Sequence, residues 1–143
     1  MIARIITNPY PVWDRIKTFM EDDNGGLRTY DLCVGVFDGE EMAGAFSIRM
    51  WTEQCYEIHG GVHPDFWGNG FEVCDTLGRA LFSGTACLKI VAIIPEFNRL
   101  MRQCLLQCGL KEEGRIERAF LKRMKLHDLL VFGICKSDMP ERK

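Results

Sequence analysis

Residues 70–95 restrict the fold more than any other part of the chain. Within 70–82, Val73, Leu77 and Leu81 recur at helical spacing; residues 88–94 are then apolar at every position but Lys89, and Pro95 closes the run. That order predicts a helix delivering the chain to a strand buried on both faces. A strand reached through a helix runs parallel to the one before it, because a tight hairpin cannot make the connection. The preceding strand is 52–59, where Cys55, Glu57 and His59 share one face and Tyr56 and Ile58 the other. Upstream, the β-rich runs 31–37 and 42–50 flank Asp38-Gly39, a pair suited to a hairpin turn. The sheet is therefore mixed, antiparallel first and parallel in its middle.

The remaining elements follow from the same periodicities. Residues 2–6 read as a short strand, and 11–20 as a helix carrying Val12, Ile16, Phe19 and Met20, stopped by the Asn-Gly-Gly of 21–26. Residues 96–108 place Phe97, Leu100, Met101, Cys104, Leu105 and Cys108 on one helical stripe closed by Gly109. Residues 110–122 and 127–136 read as a last pair of strands. The expected architecture is α+β in layers, in the order β-α-β-β-β-α-β-α-β-β.

Composition bounds what such a chain does. At 143 residues, 47% hydrophobic, 27% charged and with net charge −2, it has the size and apolar content of one domain spanning 1–143, with 137–143 a polar tail. The longest apolar stretch, 129–135, is far short of the ~18 residues of a membrane span, and the first residues lack a secretory pattern. A soluble protein of a reducing cytoplasm, without membrane partner, is expected. Seven cysteines, an odd number with no Cys-x-x-Cys, suit free buried thiols rather than disulfides or a metal. Residues 1–71 hold 5 basic and 11 acidic side chains and residues 72–143 hold 13 and 9. The basic second half can face a phosphate-bearing ligand, while the near-neutral total argues against a nucleic-acid partner.

The chemistry-bearing segment is 60–72, Gly-Gly-Val-His-Pro-Asp-Phe-Trp-Gly-Asn-Gly-Phe-Glu, a strand end, turn and helix start. Gly60-Gly61 marks a bulge or a close backbone approach. Gly68 and Gly70 before a helix N-terminus can expose backbone N–H groups to a pyrophosphate, or simply make a tight turn. Asn98 opens the next helix as a local cap or as a ligand contact.

In this segment and in Asn98 followed by Gly109-Leu110 and Gly114, the chain resembles the GCN5-related N-acetyltransferase (GNAT) superfamily. Its central signature is Val-x-Pro-x-x-[Arg/Gln]-Gly-x-Gly-x-[Gly/Ala]; Val62, Pro64, Gly68 and Gly70 stand at matching positions. The resemblance implies a GNAT-like acyl-CoA N-acyltransferase fold: a six- to seven-stranded mixed sheet splayed between strands 4 and 5, here 53–62 and 88–94. It implies acetyl-CoA, or coenzyme A, as co-substrate and no metal. The cofactor would meet Gly61, Val62, Trp67, Gly68, Asn69, Gly70, Phe71 and Asn98. Trp67 replaces the usual Arg or Gln, Glu72 the last small residue, and Leu105 the tyrosine that many members use as general acid.

Acyl transfer to an amine needs a base and an oxyanion donor. Glu57 and His59, on one face of the strand beside the splay, are the candidate catalytic pair, and a backbone N–H near Gly61 and Val62 the donor. No cysteine has the setting of a nucleophile, so transfer is expected to be direct, to a protein or small-molecule amine. A narrower resemblance, in Tyr56-Glu-Ile-His-Gly and Pro95-Glu-Phe-Asn-Arg among other phrases, is to acetyltransferase-like proteins of tailed bacteriophages and prophages. It implies an alternative: a catalytically reduced head-assembly or internal virion protein that works through phage structural proteins, in the particle or the bacterial host cytoplasm.

Overall fold

A computed structural model describes residues 1–7 and 32–141. The helix expected at 11–20 and its end at 21–26 lie outside the described residues. The elements are β1 (Ile2–Ile5), β2 (Leu32–Asp38), β3 (Glu41–Met50), β4 (Cys55–Val62), a 3-10 turn (Pro64–Asn69), α1 (Gly70–Gly84), β5 (Lys89–Pro95), α2 (Arg99–Gln107), β6 (Lys111–Lys122), β7 (Lys125–Cys135) and a second 3-10 turn (Lys136–Asp138). Seven strands form one sheet in the order β1-β2-β3-β4-β5-β7-β6. Among the described residues only β4–β5 is parallel and every other pair is antiparallel. The crossover read from residues 70–95 is thus present, with α1 as its helix.

Hydrophobic periodicity accounts for the core. Val73, Leu77 and Leu81 of α1, with Cys74, Gly78 and Phe82, are buried, and a Cβ on Gly44 or Gly78 would touch Val73 Cγ1 or Ile90 Cδ1 respectively. Those contacts put α1 on the sheet face that carries Ile48, Ile58, Ile90, Leu130 and Phe132. The β2–β3 turn needs Gly39, whose φ is +63°. All seven cysteines are free, five of them buried. No described helix is long and apolar enough to cross a membrane.

Three sequence expectations shift. Gly60-Gly61 neither ends nor bulges β4: the β3–β4 register runs unbroken from Met50↔Tyr56 to Gly44↔Val62. A close approach is the operative reading, since a Cβ on Gly60 would meet the Ala45 carbonyl and lie 2.6 Å from Phe46 Cδ1. The helix expected from Glu96 begins only at Arg99, because Glu96 N–H is still bonded to Asp128 O of β7 (3.0 Å). Phe97 therefore leaves the helical stripe and packs edge-on against Phe120 and His127, and Leu100 is exposed.

Candidate functional site

The parallel ladder between β4 and β5 holds from Cys55↔Lys89 to Ile58↔Ala92 and then stops. Beyond it, β4 continues through His59, Gly60, Gly61 and Val62, and β5 through Ile93 to Pro95, each still paired on its far side. The sheet parts at Ile58 and Ala92, and a cleft opens to solvent in the gap. Ile58, His59, Gly60, Ala92, Ile93 and Met101 line it, over a floor that includes Phe46, Cys74 and Leu105.

Register decides which backbone groups face this gap. Trp51 N–H to Cys55 O (2.9 Å) and His63 N–H to Ala43 O (2.8 Å) show that the odd-numbered residues of β4 exchange hydrogen bonds with β3. Gly61 is one of them. Its N–H points to Ala45, so the single donor expected near Gly61 and Val62 falls to Val62, whose N–H faces the gap together with the N–H and C=O of Gly60. On the opposite lip, Lys136 N–H to Leu88 O and Glu96 N–H to Asp128 O bind the even-numbered residues of β5 to β7; Ile93 faces β4, and with its N–H used in the Ile58↔Ala92 bridge its carbonyl is left toward the gap.

The two candidate catalytic residues fall on the same face of β4 but not in equivalent places. His59 is the first residue past the point of parting and lines the cleft. Its carbonyl accepts the Ser47 hydroxyl (3.2 Å). Glu57 lies one pleat behind, still paired with Val91, and accepts the Trp51 indole N–H at Oε1 (3.0 Å). The buried Cys74 thiol is pushed well above its ordinary range by desolvation and its thiol neighbours Cys108 and Cys104. Leu105, where a proton-donating tyrosine would stand, is 2% exposed.

At the mouth, the 3-10 turn runs directly into α1. His63 caps it, Nδ1 accepting from Asp65 N–H (3.1 Å). Trp67 Nε1 donates to Val62 O (2.9 Å), so the residue replacing Arg or Gln occupies the carbonyl that faces the gap. A Cβ on Gly68 would meet nothing within 4 Å, whereas one on Gly70 would lie 2.8 Å from Cys104 Sγ. The second glycine thus serves the packing of α1 on α2, and only the surroundings of Gly68 are open. Asn69 and Glu72 are exposed, Phe71 is half-buried, and Asn69 makes no side-chain cap bond to α1. Asn98 caps α2: it is 8% exposed and its Oδ1 accepts Met101 N–H (3.2 Å).

The far lip carries a network that no motif announced. Arg115 Nη1 reaches Asp128 Oδ2 (2.9 Å) and Glu96 Oε2 (3.4 Å). Arg118 N–H donates to Asp128 Oδ1 (2.8 Å), and His127 Nδ1 lies 3.8 Å from Glu96 Oε1. The Arg118 N–H and then the Arg115 guanidinium hold the Asp128 carboxyl below its ordinary value. These residues are up to 32 apart in the chain and meet through the register of β5, β6 and β7. Adjacent acidic and basic letters in the sequence carry no trace of it.

No protein-family model and no curated protein matches the chain. Solved structures do. A spermidine N-acetyltransferase chimera of Vibrio cholerae SpeG and hSSAT superposes with TM-score 0.79 at 14% identity, over 96% of this chain and 98% of that one. A GNAT-family acetyltransferase from Bacillus anthracis gives 0.73 at 14% identity, over 96% of each. The V. cholerae spermidine N-acetyltransferase in complex with CoA and spermine gives 0.67 at 17% identity, over 75% of this chain and 66% of that one. The shared fold is the GNAT fold, with the parallel pair β4–β5 at its splay.

Proposed function

We propose that this protein is an acyl-CoA-dependent N-acyltransferase, moving an acetyl group from acetyl-CoA to an amine by direct transfer. The observation carrying this reading is the parting of β4 from β5 with Gly60, Val62 and Ile93 backbone groups turned into the gap and His59 at its vertex. An amide-bearing arm pairs with such a free strand edge as an added strand would. Gly68, Asn69, Gly70, Phe71 and Trp67 surround the start of α1, where backbone N–H groups and the helix dipole suit phosphate oxygens. The fit is incomplete on two counts: Trp67 takes the Val62 carbonyl, and the Glu72 carboxylate stands in the first turn, where phosphate would be repelled.

In this reading His59 takes the proton of the incoming ammonium or amine, and Glu57 behind it accepts that proton through water. The freed nitrogen lone pair attacks the thioester carbonyl, and Val62 N–H holds the developing oxyanion. The carbon–sulfur bond then breaks. With Leu105 unable to donate, the departing thiolate takes its proton from solvent. Because one neighbour holds CoA and spermine, polyamines are the first acceptors to try. A second reading, a non-catalytic phage assembly protein on this fold, is favoured by the same Trp67, Glu72 and Leu105. Calorimetry with acetyl-CoA and coenzyme A separates them: binding supports the enzyme, and a folded sample that binds neither at millimolar cofactor excludes it.

A further inference from the structure

The tip of the β6–β7 hairpin carries side chains that folding alone disfavours. Arg123 and Met124 join the two strands with φ of 51° and 64°, the pair of positive values that a type I′ hairpin turn demands. Asn-Gly meets that demand readily; Arg-Met meets it against the steric preference of both residues. Met124 is 95% exposed, Leu121 64% and Leu126 52%, and Leu121 sits directly across from Leu126. The same stretch, 118–126, contains Arg118, Lys122, Arg123 and Lys125 and no acidic residue. Lys122 lies over the Phe97 ring, 4.3 Å from its centroid, while Arg123 and Lys125 have no ion pair among the described residues.

The tip projects from the cleft end of the sheet. Pro95, the last residue of β5, pairs with Leu129, and the five residues from there to Met124 carry the hairpin about 17 Å farther.

We propose that this tip docks on an anionic lipid surface, with Met124, Leu121 and Leu126 entering the headgroup boundary and Arg123, Lys125 and Arg118 meeting lipid phosphates. Aliphatic side chains ringed by cations are the combination that interfacial binding uses. The exposed apolar groups are not the aromatic rings on which single-stranded bases stack. In a chain of net charge −2, the attraction belongs to the tip and not to the whole molecule. Strain accepted at Arg123 and Met124 is then explained by what those side chains contact. The inference concerns attachment without a spanning segment, so it departs from the expectation of no membrane partner drawn from hydropathy.

Co-sedimentation of the full chain with phosphatidylcholine vesicles, with and without phosphatidylglycerol, tests it. Binding to the anionic vesicles alone, weakened by salt, is the expected result. The double variant Arg123→Asn, Met124→Gly suits the turn better, so it should melt no lower than the parent while its partitioning falls roughly tenfold, about fivefold of it from the lost charge. Absence of binding to anionic vesicles at low salt overturns the proposal. So does unchanged binding by the double variant, and so does binding to polyuridylate with none to vesicles, which would make the tip a nucleic-acid surface.

Discussion

The two lips of the cleft share a backbone ladder on their far sides and differ in what is added to it. The β4 lip comes from contiguous residues, 57–72: a strand, a turn and a helix start whose positions are held by backbone ladders and by close glycine contacts. The β5 lip has its own ladder with β7 and adds to it a network drawn from Glu96, Arg115, Arg118, His127 and Asp128, made by charged side chains and the Arg118 N–H. One lip is placed through main-chain geometry; the other also joins Glu96, just past β5, to β6 and β7 through charged side chains. A motif thus reports the lip that is local in sequence, while its counterpart has no contiguous signature.

Substitutions can break this comparison at three strengths. On the β4 lip, His59→Ala should lower turnover about 100- to 10,000-fold with acetyl-CoA affinity little changed, and Glu57→Gln should lower it less. Steady-state rates beside calorimetric binding measure this, and unchanged turnover in both variants removes the catalytic assignment. The structural half of the same lip is sharpened by glycine. Gly60→Ala forces a Cβ against the Ala45 carbonyl and to 2.7 Å from Phe46 Cα, so it should destabilise by about 1–3 kcal/mol or more. Gly68→Ala meets no atom within 4 Å and should stay within about 0.5 kcal/mol. Urea unfolding of the two variants reads the contrast directly.

The far lip yields the smallest effect, and it depends on pH. Asp128 has a folded pKa below its ordinary value, so its contribution to stability is complete above about pH 4 and is lost as pH falls through the folded value. Asp128→Asn should therefore show a shallower acid loss of stability than the parent below that range, and little difference in its slope at neutral pH. An unchanged acid slope in denaturant titrations would mean that the network does not hold this lip. Since the β4 lip rests on backbone pairing, the Gly60 and Gly68 contrasts should be the same at both pH values.

Much of the fold was legible because short-range patterns carry it. Helical spacing in 70–82, the apolar run 88–94 and Asp38-Gly39 each describe a local conformation, and the parallel crossover follows from their order. Boundaries slipped where tertiary contacts overrode pattern. Phe97 has helical spacing to Met101 and Cys104, yet its ring is held by Phe120 and His127, so the helix waits for Asn98 to cap it. The candidate site divides the same way. His59 and Glu57 were reachable from strand alternation, which assigns faces. The partners Trp51 and Ser47, and the Trp67 bond to Val62, depend on folded neighbours.

Periodicity and turn chemistry act between near neighbours along the chain, so the order of elements and the mixed sheet with its crossover could be read from residues alone, whereas the place of the cleft came from the family resemblance. Only the tertiary structure decided that Val62 rather than Gly61 turns its N–H into the cleft, that Gly70 serves Cys104 while Gly68 stands open, and that Glu96 meets Asp128. The reason is physical: the direction of a strand's N–H follows the parity of its register with the next strand. A one-residue slip would reverse it, and no local pattern encodes that parity.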